Sequence, residues 1–270
     1  YLLHGDVIPE KRGKFRLPDE DLVVEPSLRV RQWRVINDFA CGPESWGMAD
    51  YRPVLDQLAK MKFNGILLNF WPHQPFVHFG FRGVAKRTAE LFWGWRYPTE
   101  GMVARDVFGN DDEFCNPSMP PTGDYADRLA AGRNYMHGVL AHARRRGMRS
   151  IIGLSITDFT DEIVEGFREW CPPKEEPDGS SWSGSYTREG VFTLGTDPQF
   201  NDYQNVRNPV LQELGEVVIR AHFDEYPEAD CYALHGSEFR SSVAGHEGIW
   251  QILDERYRLS DRFDLEAMLE

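Results

Sequence analysis

Short, nearly continuous apolar runs alternate along the chain with longer segments whose apolar residues return at helical spacing. The runs are Arg34-Val35-Ile36-Asn37-Asp38-Phe39, Ile66–Trp71, Ser150–Ile156 and Cys231–Leu234. Runs of this kind fit strands buried on both faces, as in a parallel sheet. The spaced segments predict helices. Tyr51–Lys62 carries Val54, Leu55, Leu58 and Met61 on one stripe, with Asp50 as N-cap and Pro53 in the first turn, where a missing N–H is tolerated. A second helix starts at Asp124 or a neighbour and runs to Arg146, with Leu129, Ala130, Met136, Val139, Leu140 and Ala143 inward. A third spans Asn208–Tyr226 on Leu211, Leu214, Val217, Val218 and Ala221, and Ile249–Tyr257 looks helical again. Gly65 and Gly147 follow the first two helices, and each can take the left-handed conformation that ends one.

The order is strand then helix, four times over. The long polar segments follow strands, and the connections after helices are short. In a (β/α)8 barrel the loops after strands build the working face. In an open doubly wound sheet they meet at a switch point. No GxGxxG follows any strand and no GxxxxGK[ST] occurs, which disfavours the nucleotide-binding open sheets. The expected fold is therefore α/β: a partial TIM (β/α)8 barrel, with parallel strands near 34–39, 66–71, 150–156 and 231–235 joined by crossover helices. Residues 1–30 are polar and broken by Gly and Pro, with Tyr1-Leu2-Leu3 and Leu22-Val23-Val24 as candidate edge strands of a preceding domain. They read as the tail of a preceding domain and a linker, and 31–270 as the N-terminal half of the barrel. Because the chain opens on Tyr1 and not Met, it reads as a processed or truncated piece.

Composition narrows the classes of function. A net charge of −13 argues against general affinity for nucleic acid or anionic membranes. No run is apolar and long enough to span a bilayer. Cys41, Cys115, Cys171 and Cys231 form no CxxC pair, so a zinc cluster is unsupported, while disulfides and free thiols both stay open. No cofactor motif appears. Eight tryptophans supply more flat apolar faces than a minimal core requires.

The strand ends carry polar residues. They are Asn37 and Asp38; Asn69 with Trp71 and His73; Asp158; and His235 with Glu238. If the strands are neighbours in order, all face one mouth. Carboxylates, amides and imidazoles there can bind several hydroxyls while an aromatic stacks on a ring, the chemistry of a carbohydrate site. The segment Pro72–Gly123 is long, aromatic and basic, and is expected to cover that mouth and to contribute Trp93, Trp95 or Arg96. Each residue also has a structural role open to it. Asn37, Asp38 and Asp158 can serve turns, Asn69 can satisfy backbone, and tryptophans fill cores. His73, His78 and His235 lack HxH or HExxH spacing, so metal binding is the minority reading. Glu238 can be a solvated partner of Arg240, or a partly desolvated acid at a strand mouth with a raised pKa.

RQWRVINDF, DYRPVLDQLAKMKFNGILLNFWP, ARRRGMRSIIGLSI and NPVLQELGEVVIRAHFDEYPEADCYALHGSEF together resemble the first half of a glycoside-hydrolase (β/α)8 barrel. The resemblance runs from about residue 31 to 258 and is to the group containing α-glucuronidases and β-hexosaminidases. It implies a small α/β domain before the barrel, a secreted or periplasmic location, and a catalytic acid at Glu238. The hexosaminidase Asp-Glu pair is replaced by Ser237-Glu238, which disfavours substrate-assisted chemistry.

The leading functional expectation is a glycosidase in which Glu238 protonates the glycosidic oxygen, with Asp158 the candidate second carboxylate. Asn37, Asp38, Asn69, Trp71, His73, Trp95, Arg96 and His235 would bind substrate. The alternatives are a non-catalytic carbohydrate-binding barrel and a metal-dependent barrel isomerase, lyase or hydrolase using His73 or His235.

Overall fold

A computed structural model of the chain describes residues 21, 23, 25–34, 44–91, 94–103, 105–108, 111–119, 121–155, 158–170, 185–188, 191–193, 209–234 and 246–265. Strand β1 (Gln32–Arg34) is followed by helix α1 (Met48–Lys60) and β2 (Gly65–Phe70). Two small hairpins come next: β3 (Gly80–Phe81) with β4 (Val84–Ala85), and β5 (Tyr97–Pro98) with β6 (Glu113–Phe114). Helix α2 (Tyr125–Arg145) leads to β7 (Arg149–Leu154), β8 (Asp158–Thr160), α3 (Asp161–Trp170), β9 (Ser185–Arg188) and β10 (Val191–Thr193). Helix α4 (Pro209–Glu225), β11 (Cys231–Leu234) and α5 (His246–Tyr257) complete the order.

The main sheet runs β1-β2-β7-β11, and all three pairings are parallel. Each strand lies beside the next main strand in sequence, so among the described residues the winding does not reverse and shows no switch point. Right-handed crossovers wound in one direction place their helices on one face. The packing agrees: Ile66, Leu68 and Phe70 of β2 and Ile152 and Leu154 of β7 share a core with Tyr51 and Leu55 of α1 and with Tyr135, Val139 and Leu140 of α2. The chain is thus an α/β fold with a parallel four-stranded sheet and crossover helices, the arrangement of a partial (β/α) barrel.

Helices α1 and α2 end by the same device. Lys62 N–H bonds to Ala59 O and Phe63 N–H to Leu58 O; Gly147 N–H bonds to Arg144 O and Met148 N–H to Ala143 O. Each pair is a Schellman motif, which satisfies carbonyls left over at a helix end. Gly147 takes the left-handed position, as its sequence predicts, at φ 71°. In α1 that position falls to Lys62 (φ 67°), and Gly65 instead opens β2. The start of α1 also differs from expectation. Gly47 is the N-cap, and Asp50 sits three residues in, its carboxylate accepting from Gly47 N–H at 2.9 Å. Asp124 caps α2 as expected, accepting from Ala126 and Asp127 N–H. The inward stripes shift by one neighbour: Tyr51 is buried in α1 while Met61 is 40% exposed, and in α2 Gly132 and Tyr135 are buried while Ala130 is exposed.

Two further differences concern the strands. β11 is not buried: Cys231 is exposed and Leu234 is 60% exposed, because β11 is an edge with a single strand partner among the described residues. The connection after β7 is not a plain loop, since β8, β10 and β9 form an antiparallel sheet beside α3. Cys115 and Cys231 are free thiols. No helix among the described residues is long and apolar enough to cross a membrane.

The segment after β2 is anchored on both sides. Phe76 enters the main core, while Val77, Phe79 and Phe81 form a second core with Ile163 of α3 and Val210, Leu214 and Val218 of α4. Gly132 of α2 lies directly under it: a Cβ there would come within 2.2 Å of the Pro75 carbonyl oxygen.

Candidate functional site

Side chains alternate across a strand. With Ile66, Leu68 and Phe70 turned to the helices, Leu67 and Asn69 occupy the opposite face of β2. Asn69 pairs in register with Gly153 of β7, which pairs in turn with Ala233 of β11. One buried amide near the C-terminal end therefore sits beside two small residues. One pleat below, Leu67, Ile151 and Cys231 make the corresponding apolar row.

Past the end of β2, Trp71 and His73 stack with ring centroids 6.4 Å apart, both buried. Gln74 organises this corner. Its side-chain oxygen accepts from Trp71 N–H at 3.0 Å, and its amide nitrogen donates to the Glu44 carboxylate. Glu44, after β1, is buried, and Asn116 holds its backbone by donating to the carbonyls of Glu44 (2.8 Å) and Trp46 (2.7 Å). The Tyr135 hydroxyl also donates to Trp46 O, at 2.6 Å.

Behind this corner lies Lys86, only 1% exposed. Its ammonium donates to Gln74 O at 2.5 Å and Val77 O at 2.8 Å. Burial pulls its pKa down to about 7, against the upward pull of Glu162 and with a further push from Arg133. Glu162 accepts from Arg87 N–H at 2.5 Å and from Thr88 through both N–H (2.8 Å) and hydroxyl (2.9 Å). Burial raises the Glu162 carboxyl, but these donors together hold it below its usual range. His222 of α4 is buried, and its Nδ1 bonds Val218 O at 2.7 Å. Burial takes its pKa down to about 4, with Lys86 adding to the effect.

Asn69, Trp71 and His73 thus come together at the end of β2. Asp158 opens β8, its backbone paired in register with Thr193. Trp95 is a core residue: its indole N–H donates to Ala89 O at 3.0 Å, and the Arg128 guanidinium lies 5.0 Å over its ring. Arg96 is exposed and ion-paired with Glu113 at 2.8 Å. Asn37, Asp38, Trp93, His235 and Glu238 lie outside the described residues. The pattern of apolar runs gave no sign of Glu44, Gln74, Lys86 or Asn116. The one available signal was Lys86 directly after the Val84-Ala85 pair, a cation beside apolar residues in a short hairpin. Among the described residues no group of three or more His, Cys, Asp or Glu could hold a metal ion.

The sheet order and the polar corner at the end of β2 define a singly wound parallel α/β protein with hydrogen-bonding side chains gathered at a strand mouth. No family model matches the chain. No curated protein matches it. Among solved structures, it is distantly similar to a noncanonic maltogenic α-amylase, AmyB from Thermotoga neapolitana, with 14% sequence identity and a TM-score of 0.37. The match covers 85% of this chain, which spans 44% of that protein.

Proposed function

We propose that this chain is part of a glycoside hydrolase-like enzyme acting on a carbohydrate, with Glu238 as general acid. The observation that carries the proposal is the singly wound parallel order β1-β2-β7-β11, which sends every segment following a strand to the same end of the sheet. Asn69 lies at that end on the face away from the helices, and the chain continues past β11 into His235–Glu238. In this reading Glu238 protonates the leaving glycosidic oxygen, and Asp158 is the candidate for the second carboxylate. Asn69, His73 and His235, with Asn37 and Asp38, bind hydroxyls. The test is hydrolysis of a panel of aryl glycosides by the full-length protein. Turnover lost in Glu238→Gln and insensitive to chelator supports the proposal. Sugar binding without turnover would replace it with a carbohydrate-binding barrel, and loss on chelation with a metal-dependent enzyme.

A further inference from the structure

The opposite end of the sheet has a distinct character. Three segments converge at the N-terminal ends of β1, β2 and β7, and Asn64 ties them together. Its side-chain oxygen accepts from Arg31 N–H at 2.8 Å, its amide donates to Arg29 O at 2.9 Å, and its carbonyl accepts from Arg149 N–H at 3.0 Å. Arg31 Nε also donates to Lys62 O at 2.6 Å. The C-terminal ends of α1 and α2 finish at the same place.

These segments expose Arg29, Lys60, Lys62, Arg144, Arg145 and Arg149. Among the described residues none of the six takes part in an ion pair. The nearby carboxylate of Asp56 is already taken by Arg146 (2.6 Å) and His142 (2.6 Å). Arg145 donates to His142 Nδ1 at 3.2 Å, and among the described residues the six cations stand outside any ion pair on a chain whose net charge is −13. Exposed apolar side chains stand among them: Leu28 is 68% exposed, Val30 69%, and Met61 belongs to the same edge.

We propose that this end of the sheet docks an acidic polypeptide segment that also carries apolar side chains. Arginine outnumbers lysine here, and a guanidinium fork matches a carboxylate with two parallel bonds, an advantage it does not need at a diffuse lipid surface. Arginine and exposed apolar groups together are the composition from which protein–protein hot spots are built. Size points the same way. Glu25 precedes the patch, and Glu228 and Asp230 flank it under β11, with Asp230 fixed by Ser150 N–H at 2.8 Å. A bilayer or a nucleic acid would extend over these acidic flanks. A short segment stays within the patch, inside a Debye length of about 8–10 Å.

The test uses the full-length protein and a short fluorescein-labelled peptide of alternating Glu and Leu, followed by fluorescence anisotropy. The peptide is expected to bind, more weakly as salt rises. A matching Gln–Leu peptide should bind at least about tenfold more weakly, a comparison that leaves the protein untouched. The triple variant Lys60→Ala, Arg144→Ala, Arg149→Ala should lose at least about tenfold with an unchanged thermal midpoint, and Leu28→Ser with Val30→Ser should also weaken binding. No binding of the Glu–Leu peptide, equal binding of the two peptides, or equal affinity of the triple variant overturns the proposal. So does tighter binding to phosphatidylserine–phosphatidylcholine vesicles or to a single-stranded oligonucleotide.

Discussion

The Tyr226 hydroxyl donates to the Phe76 carbonyl oxygen at 2.6 Å, joining positions 150 residues apart. Tyr226 is fully buried at the end of α4, its ring 5.3 Å from Phe70. One bond therefore fastens the last crossover helix to the segment leaving β2. Tyr226→Phe keeps the ring packing and orphans a buried carbonyl, at a cost of about 1–3 kcal/mol. Urea unfolding should show a lower midpoint with an unchanged m-value.

Lys86 makes stability rise with pH on the alkaline side. Its pKa is about 7 when folded, against an ordinary lysine value of 10.5. Between these values the unfolded chain binds the extra proton, so raising pH favours the fold, by up to about 1.4 kcal/mol per pH unit. The gain is lost progressively as pH falls from 10.5 towards 7, and below 7 the slope vanishes. Above pH 10 burial opposes it, because Tyr51, Tyr135 and Tyr226 stay protonated in the fold while unfolded tyrosines ionise. Lys86→Met should flatten the rise between pH 7 and 10 in denaturant titrations at stepped pH.

His222 acts on the acid side. Burial takes its folded pKa to about 4, against an ordinary histidine value of 6.5. As pH falls from 6.5 to 4, the unfolded state takes up a proton that the buried ring does not, and stability drops by up to about 1.4 kcal/mol per unit. Asp56 and Glu162, both held below their usual values, add their losses at lower pH. His222→Met should reduce the slope between pH 6.5 and 4 and leave the more acidic loss in place.

The helix ends invite a reciprocal exchange. Lys62 holds the left-handed position of a Schellman motif without the conformational freedom of glycine. Lys62→Gly should raise stability by about 0.5–1 kcal/mol, and Gly147→Lys should lower it by about 1–2 kcal/mol. Thermal midpoints of the two variants should move in opposite directions.

The parallel sheet was legible in the sequence because strand and helix spacings differ and the runs Ile66–Phe70 and Ile151–Leu154 are almost purely apolar. Boundaries were less so. Gly65 and Lys62 compete for one left-handed position, and the choice depended on where β2 had to begin, a tertiary matter. The exposure of β11 was hidden for a similar reason: an apolar tetrapeptide reads the same at an edge as at a centre. Asn69, Trp71 and His73 were legible as the end of a strand because they close an apolar run. Glu44 and Asn116 were not, because their link runs through contacts 72 residues apart that no local pattern encodes.

The contact between Gly132 and Pro75 sets the helix surface against a backbone carbonyl and a rigid proline ring, with no flexible side chain to yield. The outer helix therefore acts as a depth stop for the loop that carries Gln74, and through Gln74 for Trp71 and Glu44. Mutagenesis confined to the mouth would vary its chemistry at a constant depth. Adding a methyl at position 132, in the helix layer, would instead press on the Pro75 carbonyl and shift the whole corner, whose position is therefore adjustable from outside the corner itself.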